Sequence, residues 1–202
     1  MEVTAARLLA GVFALAAVAL YLGPYRSGLR DEEALAHVAS VIAGREVTID
    51  CPGTLASLTE VSGHDGSVRF HPDGRPENEA KLSSRTCARL QSLMAGDVAG
   101  LECLAHETPC GEEVERAAVA VNVLSHEAWH LRGERGEAAA QCYALQTNAD
   151  TALRLGASPA EAQAIASFIL RKVQPALPSD YRTSGCRDGG PLDLYPERTA
   201  WP

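Results

Sequence analysis

No long low-complexity tract, no CxxC pair and no clustered run of lysine and arginine occur in this chain of 202 residues. The first absence leaves a folded protein, and 46% apolar with 22% charged residues is a globular composition. The second removes the paired-cysteine spacing of a zinc ribbon. The third, with a formal net charge of −8, argues against nucleic acid as a partner, because phosphate binding needs clustered cations. It also leaves no basic stripe for an anionic membrane surface. Methionine is scarce as well: Met1 and Met94 are the only two. At this length the chain fits one domain, and two only if both are small.

What is present begins with an apolar N-terminus. Residues 8–23, LLAGVFALAAVALYLG, carry no charge and no strong polar group, and Ala5 and Ala6 extend the run past Arg7. This is close to the about 20 residues that span a bilayer. Residues 1–25 therefore read as a signal-anchor or transmembrane segment, or as a signal peptide cleaved near Ala17–Ala19. The flanking charges, Arg7 against Arg26 and Arg30, do not decide orientation. Six cysteines, at 51, 87, 103, 110, 142 and 186, all follow the apolar segment. An even number without metal-type spacing points to three disulfides in an oxidising compartment; buried reduced thiols in a cytosolic domain are the alternative. Cys103 and Cys110 are near enough to close a local loop, and the other pairings stay open. Residues 31–202 thus read as a single extracytoplasmic domain, membrane-anchored or secreted after cleavage, with no signature of oligomeric state.

The soluble part reads as mainly α with a small β element, an α+β fold. Helices are expected at 31–44, 78–96, 111–132, 137–155 and 158–174, the last opened by Ser158 as N-cap, Pro159 and Glu161. Strands are expected at 47–51 and 67–70. GHDG (63–66) and PDGRP (72–76) read as turns, since neither alternates oxygen ligands as a calcium loop does. The tail after Leu177 reads as irregular and pinned by Cys186.

Chemistry concentrates in LSHEAWHLRGERGEAAAQCYALQ, residues 124–146. Positions i and i+4 lie on one helix face, so His126 and His130 can aim at one metal ion, with Glu127 beside them to reach a water without ligating. Glu134 lies about 12 Å along the axis from His126 if the helix continues, too far to share the ion. HEAWHLRG also begins the metzincin pattern HExxHxxGxxH. Gly136 stands where that pattern has its third histidine, and no methionine follows to form its Met-turn. Glu137 is the better third ligand: Gly133 and Gly136 permit a sharp reversal, after which Glu137 opens a returning helix. Structural zinc usually has four protein ligands and no adjacent base, whereas two histidines, one glutamate and Glu127 describe an open site.

EAAAQ (137–141) resembles the E-x-x-A-[DN] segment of gluzincin metallopeptidases, closest to the CAAX-prenyl protease and phage-repressor-cleaving branches. The likeness covers about twenty residues. It implies a zincin-like helix pair with Zn2+ on His126, His130 and Glu137. It also implies that Gln141, in the place of the family's Asp or Asn, orients a zinc-binding histidine. The expected activity is zinc-dependent hydrolysis of peptide bonds in a protein or peptide substrate, with Glu127 as general base. Tyr143, His106 and Tyr181 are candidate oxyanion donors that spacing does not rank, and for Tyr143 core packing on the second helix is the preferred role. The alternative function is a disulfide-stapled extracytoplasmic binding or scaffold domain, a degenerate peptidase with a structural or vestigial metal.

Overall fold

A computed structural model describes residues 30–52, 65–106, 109–198 and 201. The apolar segment within residues 1–25 lies outside them. Among the described residues no helix is long and apolar enough to cross a membrane.

The architecture is α+β, mainly helical with one three-stranded sheet. Helix α1 (30–43) buries Leu35, Val38, Ala39 and Ile42 at helical spacing and stops at Gly44, whose φ is +70°. Strand β1 (Thr48–Asp50) pairs in parallel with β3 (Pro76–Leu82), and β2 (Gly66–Phe70) pairs antiparallel on the other side of β3. Among the described residues strand β2 is therefore an edge. The turn between β2 and β3 closes where His71 N–H donates to Arg75 O, with Gly74 at φ +87°.

Strand β3 corrects one expectation. Residues 78–82 were expected to begin a helix; instead Ala80 and Leu82 point into the core while Lys81 points out. Two-residue alternation backed by pairing on both edges outweighs the local helix preference of Glu, Ala and Lys. The helix, α2 (Ser84–Met94), starts only where Ser83 accepts from Thr86 N–H as its N-cap.

Helix α3 (Glu112–Arg132) runs through the centre, packed by α2, β2, β3 and the returning helix α4 (Glu137–Arg154). Nearly every residue from Ala117 to Leu131 is buried, the site residues included. At its end Gly133 adopts φ +115°, its N–H donates to His130 O, and Glu134 N–H donates to Trp129 O. That reverses the chain in four residues. Of the two glycines at this turn, Gly133 uses the left-handed region and Gly136, at φ −87°, serves as the N-cap of α4. Two arginines hold this end reciprocally: Arg45 donates to Leu131 O at 2.9 and 3.0 Å, and Arg132 donates to Ile42 O at 2.8 Å.

Helix α5 (Pro159–Phe168) carries the expected capping box, but it ends at Phe168. The chain continues as a π turn at Ile169–Val173 and 3-10 turns at Gln174–Ala176 and Ser179–Tyr181. Pro175 and Pro178 remove the amide donors an α-helix would need there. Three disulfides join Cys51 to Cys87, Cys103 to Cys110 and Cys142 to Cys186. They fit an oxidising compartment. The third ties the tail to α4, where Gln146 also donates to Leu192 O and accepts from Leu194 N–H.

Candidate metal centre

The reversal at Gly133 sets the first turn of α4 against the last turn of α3. Three ligand atoms meet there. His126 Nε2 lies 3.0 Å from Glu137 Oε2 and 3.0 Å from His130 Nε2, and His130 Nε2 lies 3.4 Å from the same carboxylate oxygen. A tetrahedral ion with bonds of about 2.0–2.1 Å spaces its ligand atoms about 3.3 Å apart, so the triangle has the size zinc requires. Among the described residues this is the group of three able to hold a metal. Glu134 is outside it; its side chain accepts from Gly136 N–H at 2.8 Å.

No known protein-family profile, no curated protein and no solved structure matches this chain.

The surroundings test whether the donor set suits a cation. His130 Nδ1 donates to Glu134 O at 2.7 Å, which fixes the tautomer and leaves the Nε2 lone pair facing the triangle. Both histidine rings are buried. Hydrogen bonding from His126, together with the nearby histidines and against a cost of burial, holds the Glu137 carboxyl down at about 2, so it is an anion at neutral pH. Glu127 shows the opposite shift. Burial, reinforced by the Glu137 charge, pushes its carboxyl up to about 8, and Oε2 has no hydrogen-bond partner among the described residues. At that pKa Glu127 is a neutral acid at neutral pH, beside the Glu137 anion and two imidazoles. A divalent cation in the triangle would lower the Glu127 pKa and favour its anion.

Gln141 does not take the expected position. It exchanges amide hydrogen bonds with Asn122 (3.2 and 3.3 Å) and donates to Gln174 Oε1 at 3.0 Å, touching neither histidine. An amide side chain here finds two amide partners, buried Asn122 and half-buried Gln174, nearer than an imidazole, and the Glu134 carbonyl already serves His130. The Nδ1 of His126 has no partner among the described residues. Gln174 Nε2 in turn donates to Tyr181 O, so the Gln141 network holds the tail instead.

The tyrosines separate clearly. Tyr143 stacks on Trp129 with ring centroids 4.6 Å apart, the packing role. Tyr181 lies 5.5 Å from the His126 ring, centroid to centroid. Burial and the charges of Glu137 and Glu127 hold its phenol protonated well past neutrality, as a hydrogen-bond donor must be. His106 lines a different cavity, of ≈ 640 Å³, with Glu112, Lys172 and Phe168.

Gly66 is the residue that sequence reasoning missed. It opens β2, and a Cβ there would fall 2.7 Å from Glu127 Cγ and Oε1. Only glycine lets the strand approach the acid so closely. At the other end of β2, Phe70 meets the His130 ring edge-on at 6.1 Å. The edge strand thus runs past both Glu127 and His130. A cavity of ≈ 260 Å³ opens beside them, lined by Gly66, Val123, His126, Glu127, Leu177 and Tyr181 among others.

Proposed function

We propose that the chain is a zinc-dependent metallopeptidase of gluzincin type, with zinc on His126, His130 and Glu137. The observation that carries this reading is the buried, unpartnered Glu127 carboxyl beside a zinc-sized ligand triangle that opens into a cavity. When bound, the zinc ion supplies Lewis-acid polarisation and activation of a water. Glu127 accepts the proton of the attacking water and delivers it to the leaving amine, and the exclusion of solvent around it strengthens both transfers. Tyr181, on the cavity wall, donates a hydrogen bond to the oxygen on which negative charge develops. His130, held by the Glu134 carbonyl, keeps its lone pair on the ligand side.

The edge strand supports a peptide as the substrate. The outer N–H and C=O groups of β2 have no strand partner among the described residues, and an extended peptide laid against them would pass Glu127 and His130. The disulfides and the apolar segment at 8–23 support a domain outside the membrane, anchored by that segment.

The test pairs metal content with activity. Glu127→Gln should keep zinc and lose peptide hydrolysis by a factor on the order of 10²–10⁴. Retained hydrolysis in that variant would remove Glu127 as base and with it this mechanism. A metal-replete wild-type chain that cleaves no peptide would leave the scaffold alternative.

A further inference from the structure

The cavity at Glu127 does not end at the site. It continues along the face of α3 that carries Arg116, Val119, Val123 and then His126. Val119 and Val123 are half-buried, unlike most of the residues around them on this helix. A second cavity, of ≈ 260 Å³, shares Asp65, Val119 and Val123 with the first and is otherwise lined by Arg85, Arg89 and Arg116 among others. Three guanidiniums against one carboxylate is unusual here, since the whole chain has 18 basic residues against 26 acidic ones.

The arginines are placed by the fold. Arg85 and Arg89 sit one turn apart on α2, so both face the same side. Arg116 faces them from α3, which packs against α2. Arg89 pairs with Glu113 and Arg116 with Glu112, but those glutamates are 78% and 70% exposed, so a competing carboxylate displaces them at little cost. Arg85 has no ion-pair or hydrogen-bond partner among the described residues.

We infer that this pocket between α2 and α3 is a carboxylate-accepting subsite of the cleft, selecting peptides that carry an acidic group a few residues from the bond at Glu127. The inference rests on the peptidase reading for its place in catalysis, and on the arginines alone for binding. Val119 and Glu127 are eight positions apart, about 12 Å along the helix, which three to four residues of extended peptide span at about 3.3 Å each. The acidic group is a Glu or Asp side chain or the carboxyl terminus of the peptide, since a guanidinium fork accepts either.

Binding tests this without turnover. The full chain, zinc-loaded and carrying Glu127→Gln, is titrated by fluorescence anisotropy with labelled peptides capped at both ends. They differ only in Glu, Gln or Lys, placed three residues to either side of a central apolar pair. The Glu peptide should bind about fivefold or more tighter than the Gln peptide, with Lys weakest. The gap should narrow in high salt and close in Arg85→Gln/Arg116→Gln. A neutral peptide ending in a free carboxylate at that position, if it matches the Glu peptide, assigns the subsite to the chain terminus. Equal affinity for all three peptides, or binding by none, overturns the subsite. Wild-type cleavage of the same peptides is scored separately. Selective binding without cleavage removes the peptidase reading and keeps the subsite; cleavage without charge preference does the reverse.

Discussion

The two walls of the cleft are built in different ways. One wall, His126 to Glu137, comes from twelve consecutive residues: a helix turn, a Schellman reversal and the first turn of the next helix. The other wall joins Gly66 from an edge strand and Tyr181 from a coiled tail, each more than forty residues from the motif in sequence. The first depends on local geometry and on the caps at Gly133 and Glu134 O. The second depends on the sheet, on the Gln141–Gln174 amides and on the Cys142–Cys186 disulfide. Metal binding should therefore survive damage that catalysis does not.

That difference can be broken from the catalytic side. Tyr181→Phe removes only a donor, and should lower kcat about 10²-fold with zinc content unchanged. Steady-state kinetics beside metal analysis reads it, and an unaltered kcat would return Tyr181 to a packing role. Gly66→Ala is next. Its methyl group would meet Glu127 at 2.7 Å, so the acid or the strand must shift. A fall in kcat of about tenfold is expected, with a loss of stability of about 1–3 kcal/mol from overpacking. Zinc again stays, and a variant with wild-type kcat would detach β2 from the site. The smallest effect on chemistry should follow Cys142→Ala/Cys186→Ala. The freed tail costs about 2–4 kcal/mol of stability, read by denaturant unfolding, and kcat falls by less than in Tyr181→Phe because the amides still hold Gln174. Loss of zinc in this variant would contradict the independence of the two walls.

Legibility in the sequence follows the same division. His126, His130 and Glu137 were legible because i,i+4 spacing and a positive-φ glycine are local statements. The Cys103–Cys110 loop was legible for the same reason. Tyr143 was legible as a packing residue from its place on the second helix, though its partner, Trp129, is revealed only by the fold. Tyr181 lies in a segment without periodicity. Gln141 was placed on the correct helix face but given the wrong partner: buried Asn122 and half-buried Gln174, both near, satisfy it before a histidine does. Gly66 read as a turn residue because HDG is a turn signal, and its contact with Glu127 is a tertiary fact with no local trace. The strand at Pro76–Leu82 was hidden by helix-favouring residues that alternate inward and outward only once β1 and β2 flank them.

Both walls serve the ligand triangle. Calorimetric titration of zinc into the full chain, first stripped with a chelator, tests it most directly. About one zinc per chain is expected in the wild type, retained in Tyr181→Phe and lost or weakened at least about tenfold in Glu137→Gln. A folded chain that takes up no zinc, or whose zinc affinity ignores Glu137, would contradict it.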